Sequence, residues 1–334
     1  MKNYLQSITR LSVILIMVVA LSANALAQTD TAAKKPKYTG PMPCAVVNSH
    51  NGSLLPVGKF VFINRYFNVT KDQVFDGVDK IDPPANFPLR EFAYQELQTA
   101  FRAGIVKGVD VRIIFSTFQK RLDREIPSYN AAGAKSTTTI TDINSGIGDA
   151  KIIGRYGILN QKTGPFNLIA GIGTTLPFGS TDATDNRGKL LPAAMQLGAG
   201  AWNPLFEIGM HKIIKRNWIS AYFVYMKAFD GDFGEGTFKR SSTLKYNFAY
   251  AYALSNMFDI GAEINCELKD KVELNDVEVD ATGGHVVFFA PEVHFKFAKD
   301  MHLDLSYAIP VYQDLNGPQL GYTSVAVVKL AMKF

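Results

Sequence analysis

Beyond its first 27 residues the chain has no run of eighteen apolar residues, and so no segment that could cross a membrane as a helix. It has two cysteines, Cys44 and Cys266. A single disulfide is conceivable in an oxidising compartment, but the two could meet only if the segment carrying Cys44 threaded the body of the protein. Cys44 and His50, six residues apart, are too few to make a metal site. No G-x-S-x-G nucleophile motif accompanies the five histidines, which argues against a hydrolase. Charge of one sign is also scarce. The net +5 falls to +3 once Lys2 and Arg10 are set aside, and no basic helix or basic-aromatic cluster points to nucleic acid.

What is present begins with an export signal. Residues 1–27 combine Lys2 and Arg10, the apolar run Leu11 to Leu21 and the small-x-small end Ala25-Leu26-Ala27, the pattern of a cleaved secretory peptide. Residues 28–56 are a polar, Pro- and Lys-containing lead, expected to lie on the periplasmic side or to act as a plug. From 57 to 334 the chain reads as one strand-rich domain. With 47% hydrophobic residues, 14 Tyr and 23 Phe but no long apolar run, period-two strands suit it better than helices.

Twelve strand-like segments can be placed, near 57–69, 91–105, 109–121, 145–159, 165–177, 192–213, 217–229, 242–254, 257–270, 284–298, 301–313 and 319–334. Their connections alternate between short and long. An even strand count with tight turns on one side and longer loops on the other predicts a single antiparallel transmembrane β-barrel, both termini periplasmic, in the outer membrane of a Gram-negative bacterium. The segment 192–213, although it contains Pro204, is expected to be one bent strand, because splitting it would spoil this parity. Phe334 ends the chain on the same face as Leu330 and Met332, the mark by which outer-membrane barrels engage their assembly machinery. Expected partners are therefore outer-membrane lipid, that machinery and a small solute.

Alternation assigns each strand an inner face. In residues 145–159 it turns Asp149, Lys151 and Arg155 inward. In the same way the inner wall is expected to carry Glu96, Arg102, Arg112, Lys245, Asp259, Glu263, Glu267, Glu292, His294, Lys296, His302 and Asp304. Asp110, Lys120, Glu207, Lys329 and Lys333 complete the set of inward charges, nine bases against nine acids. That balance predicts no bulk charge selectivity. Paired, the charges brace the barrel; unpaired, they filter ions.

SGIGDAKIIGRYGIL, followed by PFNLIAGIGTTLPFGSTD and MQLGAGAWNP, resembles the outer-membrane barrels of the MetA-pathway of phenol degradation family, related in style to fatty-acid and toluene channels. The matching positions are Gly146, Gly148 and Asp149; Thr174, Leu176, Pro177, Phe178 and Gly179; and Gln196, Gly198 and Gly200. Phe178 stands where the family often has a polar residue. The resemblance implies an outer-membrane channel for a small aromatic or hydrophobic solute, with no cofactor and no covalent catalysis. Gly171, Gly173, Gly198 and Gly200 are expected to form a smooth inner wall on two adjacent strands, which would widen the pore, seat the lead or simply permit curvature. The alternatives are a structural or adhesive barrel acting through its long loops and an outer-membrane hydrolase.

Overall fold

The computed structural model describes residues 39–47, 53–84, 86–129, 135–234 and 236–334. The expected signal peptide and His50 lie outside them. Twelve strands carry the architecture: β1 (Phe60–Lys71), β2 (Leu89–Val106), β3 (Val109–Tyr129), β4 (Ala150–Leu159), β5 (Asn167–Leu176), β6 (Pro204–Ile214), β7 (Asn217–Met226), β8 (Thr243–Ala253), β9 (Phe258–Lys269), β10 (Gly284–Ala298), β11 (Met301–Gly321) and β12 (Ser324–Lys333). Each pairs antiparallel with its neighbours in sequence, and β1 pairs with β12 from Val61↔Lys333 to Thr70↔Ser324. The sheet is therefore a closed twelve-stranded barrel. Closure leaves no lipid-facing edge on which backbone groups would go unpaired.

One end of the barrel has the tight connections. Lys107-Gly108 joins β2 to β3, Lys215-Arg216 joins β6 to β7 and Lys299-Asp300 joins β10 to β11. Gly108 (φ +82°) and Lys215 (φ +54°) take the left-handed conformations that such short reversals demand. The seam closes at this same end: the Phe60 and Phe334 amides and carbonyls exchange hydrogen bonds of 3.2 and 2.8 Å, and their rings stack at 5.1 Å. Phe258 and Phe295 stack beside them, also at 5.1 Å. With exposed Phe101 and Phe297 these rings make the aromatic girdle expected where a barrel meets the membrane surface.

The other end is elaborate. β3 continues past the barrel rim to pair with a strand at Lys135–Ile147, and a hairpin of Gln73–Gly77 and Asp79–Ile81 extends β11. Four short strands, Asp230–Phe233, Gly236–Lys239, Glu273–Leu274 and Val277–Glu278, form a separate small sheet. Its last hairpin turns through Asn275 and Asp276, both at positive φ, as a two-residue type I′ turn requires.

The structure corrects two strands. The segment 145–159 is not one strand: it breaks at Gly148-Asp149, and residues 145–147 end the strand Lys135–Ile147 that pairs with the extension of β3. The segment 192–213 is not a single bent strand: β6 begins at Pro204, and residues 192–203 form a short 3-10 turn (Ala193–Met195) and an irregular stretch. The twelve-strand parity survives because this stretch joins the connection before it. The connection 177–203 turns inward, burying Leu191, Met195, Gln196, Leu197, Ala199 and Ala201. Gly198 and Gly200 therefore belong to this loop and not to an inner wall. Gly198 lies so close to Gly179 that a Cβ on either would overlap the other's backbone, and Gly200 (φ +65°) packs on Gly231 and Asp232. Gly171 and Gly173 do lie on β5, where a Cβ would crowd Glu207 and Arg155 in the first case and Ile152 and Ile153 in the second.

Candidate functional site

Outward positions of the strands are exposed and apolar, among them Tyr156 and Ile158 on β4, Ile172 on β5, Ile260 on β9, and Leu305 and Tyr307 on β11. The intervening positions point into the barrel, where the side chains fall into tiers along its axis.

The tier nearest the short turns is built around a piece of the N-terminal lead. Residues 40–47 and 53–57 belong to the same unit as the barrel, and their backbone is held by the inner wall. The Cys44 amide donates to Asp259 Oδ2 (2.7 Å), the Val47 amide to Glu292 (3.2 Å) and the Leu55 amide to Asp110 Oδ2 (3.0 Å). In the opposite sense Lys296 Nζ donates to the Met42 carbonyl (3.0 Å), Lys329 Nζ to that of Val46 (2.9 Å) and Arg102 to that of Ser53. Val46 and Val47 are fully buried, Val46 against Trp218, Ala249 and Ala251. Gly104 on β2 permits the approach, since a Cβ there would overlap the Pro56 carbonyl oxygen.

Burying that many charges requires partners, and the wall supplies them. Asp110 is fully buried between Arg102 (2.6 Å) and Arg155 (2.7 Å). Asp259 pairs with Lys296 at 2.5 Å. Asp304 collects Lys329 (2.7 Å), His294 Nδ1 (3.0 Å) and His302 Nδ1 (2.8 Å), while Glu292 lies 3.4 Å from His294 Nε2. His294 and His302 thus brace one carboxylate. The two cysteines stay apart as free thiols. Cys44 lies level with Asp259 at the start of β9, and Cys266 is seven residues further along that strand, about 23 Å at the rise of a β-strand.

Above this tier Glu207 of β6 takes Arg112 Nη2 of β3 and the Tyr222 hydroxyl of β7, both at 2.6 Å. Arg65 and Glu263 are buried at the same level. Arg65, Arg112, Glu207 and Tyr222 floor a cavity of about 350 Å³, whose walls include Glu96, Lys151, Lys245 and Glu267. Glu267 is shared between Lys245 (3.2 Å) and Lys269 (2.8 Å), and Glu96 accepts from Gln98 (2.8 Å).

The last tier is the inturned connection. Lys120 Nζ donates to the carbonyls of Ala194 (2.9 Å) and Gln196 (2.6 Å), and Arg240 to those of Gln196 (3.1 Å) and Gly198 (2.5 Å). Asp149 sits at the break between Ile147 and Ala150 and accepts the amides of Gly179 (3.1 Å) and Ala199 (2.8 Å). It therefore clamps the loop and is not one of the cavity charges.

Sequence reasoning passed over Arg65, Tyr222 and Lys269. Arg65 and Lys269 could have been found, because each stands two residues from an inward neighbour, Phe67 and Glu267. Tyr222 carried no such sign, since a tyrosine suits either face of a barrel strand.

Residues 107–314 match the model of the MetA-pathway of phenol degradation family, well over half of the chain. The chain belongs to that family. Among solved structures it is similar to the COG4313 outer membrane channel from Pseudomonas putida F1, with 15% identity and a TM-score of 0.63 over 86% of this chain and all of the other. Looser likenesses are a Pseudomonas aeruginosa FadL homologue (7% identity, TM-score 0.41, 83% of this chain and 90% of the other) and the CymD monoaromatic hydrocarbon channel (8%, 0.40, 84% and 88%). A search of curated protein sequences finds no significant match. Closed barrel, aromatic girdle and family membership together place this phenol-degradation family member in the outer membrane of a Gram-negative bacterium.

Proposed function

We propose that this protein is a channel for uptake of a small aromatic or hydrophobic solute, with residues 28–56 serving as a plug at the short-turn end. That end faces the periplasm, and the closing strand with Phe334 engages the barrel-assembly machinery. The carrying observation is the cavity between a charged floor and an inturned loop: solute entering from the long-loop end reaches it before it meets the lead. The lead is held largely by single hydrogen bonds to its backbone, contacts that can be exchanged for water one at a time. Membership of a phenol-degradation family supports an aromatic solute, and the shared fold of the Pseudomonas putida channel supports passage through the barrel.

The test is single-channel conductance of the refolded, signal-free protein in a planar bilayer, with and without residues 28–56. Conductance that appears or rises when the lead is removed is the expected result. Silence in both forms, together with no uptake of toluene or phenol into proteoliposomes, would overturn the reading. The small ordered sheet among the long loops favours the adhesive alternative, under which deleting that sheet would abolish function while a blocked lumen would not.

A further inference from the structure

We infer that the cavity is a binding site for a small aromatic acid, its ring held by an apolar belt and its carboxylate by cationic side chains above or below that belt. This rests on the channel reading and narrows its solute class.

The inward charges expected from alternation balance nine against nine, but the structure adds Arg65 and Lys269 to the bases, and the charges are not evenly distributed along the axis. Around the lead, Asp110, Asp259, Glu292 and Asp304 are occupied by lysine, arginine or histidine and by backbone amides. The cavity keeps the remainder. Five cationic side chains line it (Arg65, Arg112, Lys151, Lys245 and Lys269) against the carboxylates of Glu96, Glu207 and Glu267. Glu207 is taken by Arg112 and Tyr222, and Glu267 by two lysines.

Donors are also left over. Arg112 is only 2% exposed, yet among the described residues its Nε and Nη1 have no acceptor, and neither has Nε of buried Arg65. These enclosed, unmatched donors leave the floor electropositive, which favours an anion over a neutral ligand in the cavity beside them. The Lys151 side chain lines the same cavity and adds a further ammonium to its wall.

Strand periodicity sets the shape. On β3 the inward sequence is Arg112 then Ile114, and on β4 it is Ile153 then Lys151, read from floor to mouth. Phe67 above Arg65 on β1 and Leu205 above Glu207 on β6 repeat the order. A belt of Phe67, Ile114, Ile153, Leu205 and Val224 therefore separates the arginine tier from the lysine tier. A single ring with one carboxylate matches this sequence of surfaces. A neutral hydrocarbon leaves the cationic excess uncompensated, and an aromatic amine adds a sixth cation.

The experiment is calorimetric titration of the refolded full-length protein with sodium benzoate, and in parallel with benzylamine and phenol, at low and moderate salt. Benzoate is expected to bind most tightly, to weaken as salt rises, and to lose about tenfold in affinity in Lys151→Gln and again in Lys245→Gln, the loss of a charged hydrogen bond. Lys239→Gln in the outer sheet should leave it unchanged. Benzoate binding no tighter than benzylamine or phenol, or indifferent to both lysine substitutions in protein that folds, overturns the inference. The channel reading fails separately: benzoate bound without any solute flux sinks transport and leaves the site, whereas phenol flux without benzoate preference sinks the acid site alone.

Discussion

Glu207 shows what a charge must do to lie inside this barrel. It is fully buried and is the shared acceptor of Arg112 and Tyr222. Glu207→Ala would strand a buried guanidinium, so it should cost about 3–5 kcal/mol, measured by urea unfolding in lipid vesicles. Lys239→Ala breaks a solvent-screened pair with Glu273 in the outer sheet, and should cost far less than the Glu207 substitution in the same assay. Asp185, in the long connection before β6, offers a pH test. The Arg187 side chain, then the Lys189 and Arg187 amides, hold its carboxyl down at about 2. Because the folded value is lowered, the turn's contribution is complete above the ordinary carboxylate range near pH 4 and is lost as the pH falls through about 2. A carboxyl carbon resonance of Asp185 titrating near 2 is the expected result, and a midpoint near 4 would mean the turn does not form in solution.

At the scale of elements, what was legible in the sequence was what alternation encodes. A strand needs only its own residues to declare its two faces, so Arg155 against Tyr156, or Asp304 against Leu305, could be read locally. The inturned connection and the lead could not, because their contacts join residues far apart: Cys44 to Asp259, Lys120 to Gln196, Gly104 to Pro56. Gly198 and Gly200 misled for the same reason. They suited a smooth strand as well as a loop pressed against another backbone, and only the tertiary contact decides. Such contacts can be tested one glycine at a time. Gly104→Ala should push the lead away from β2, so that in a Cys266→Ser background a water-soluble maleimide labels Cys44 several-fold faster while the barrel keeps its heat-modifiable mobility on gels. Gly179→Ala should displace the inturned connection, and with the lead removed it should raise conductance further. Unchanged conductance would mean that this loop does not narrow the path.

At the scale of the whole molecule, the barrel has two ends closed by different means. One is filled by chain held through its amides and carbonyls, the other narrowed by a loop clamped at Asp149, Lys120 and Arg240. The family match and the even strand count were both readable from sequence, since each depends on order along the chain. The division of charge between a neutralised end and a cation-rich cavity was not, because it depends on which acids the lead engages. The threaded lead also bears on how the molecule is made. Asp110, Asp259, Glu292 and Lys329, which grip it, come from β3, β9, β10 and β12. A segment that precedes every barrel strand in the chain thus has its resting place finished by the last strand, and biogenesis must keep that segment waiting until the seam between Phe60 and Phe334 has zipped.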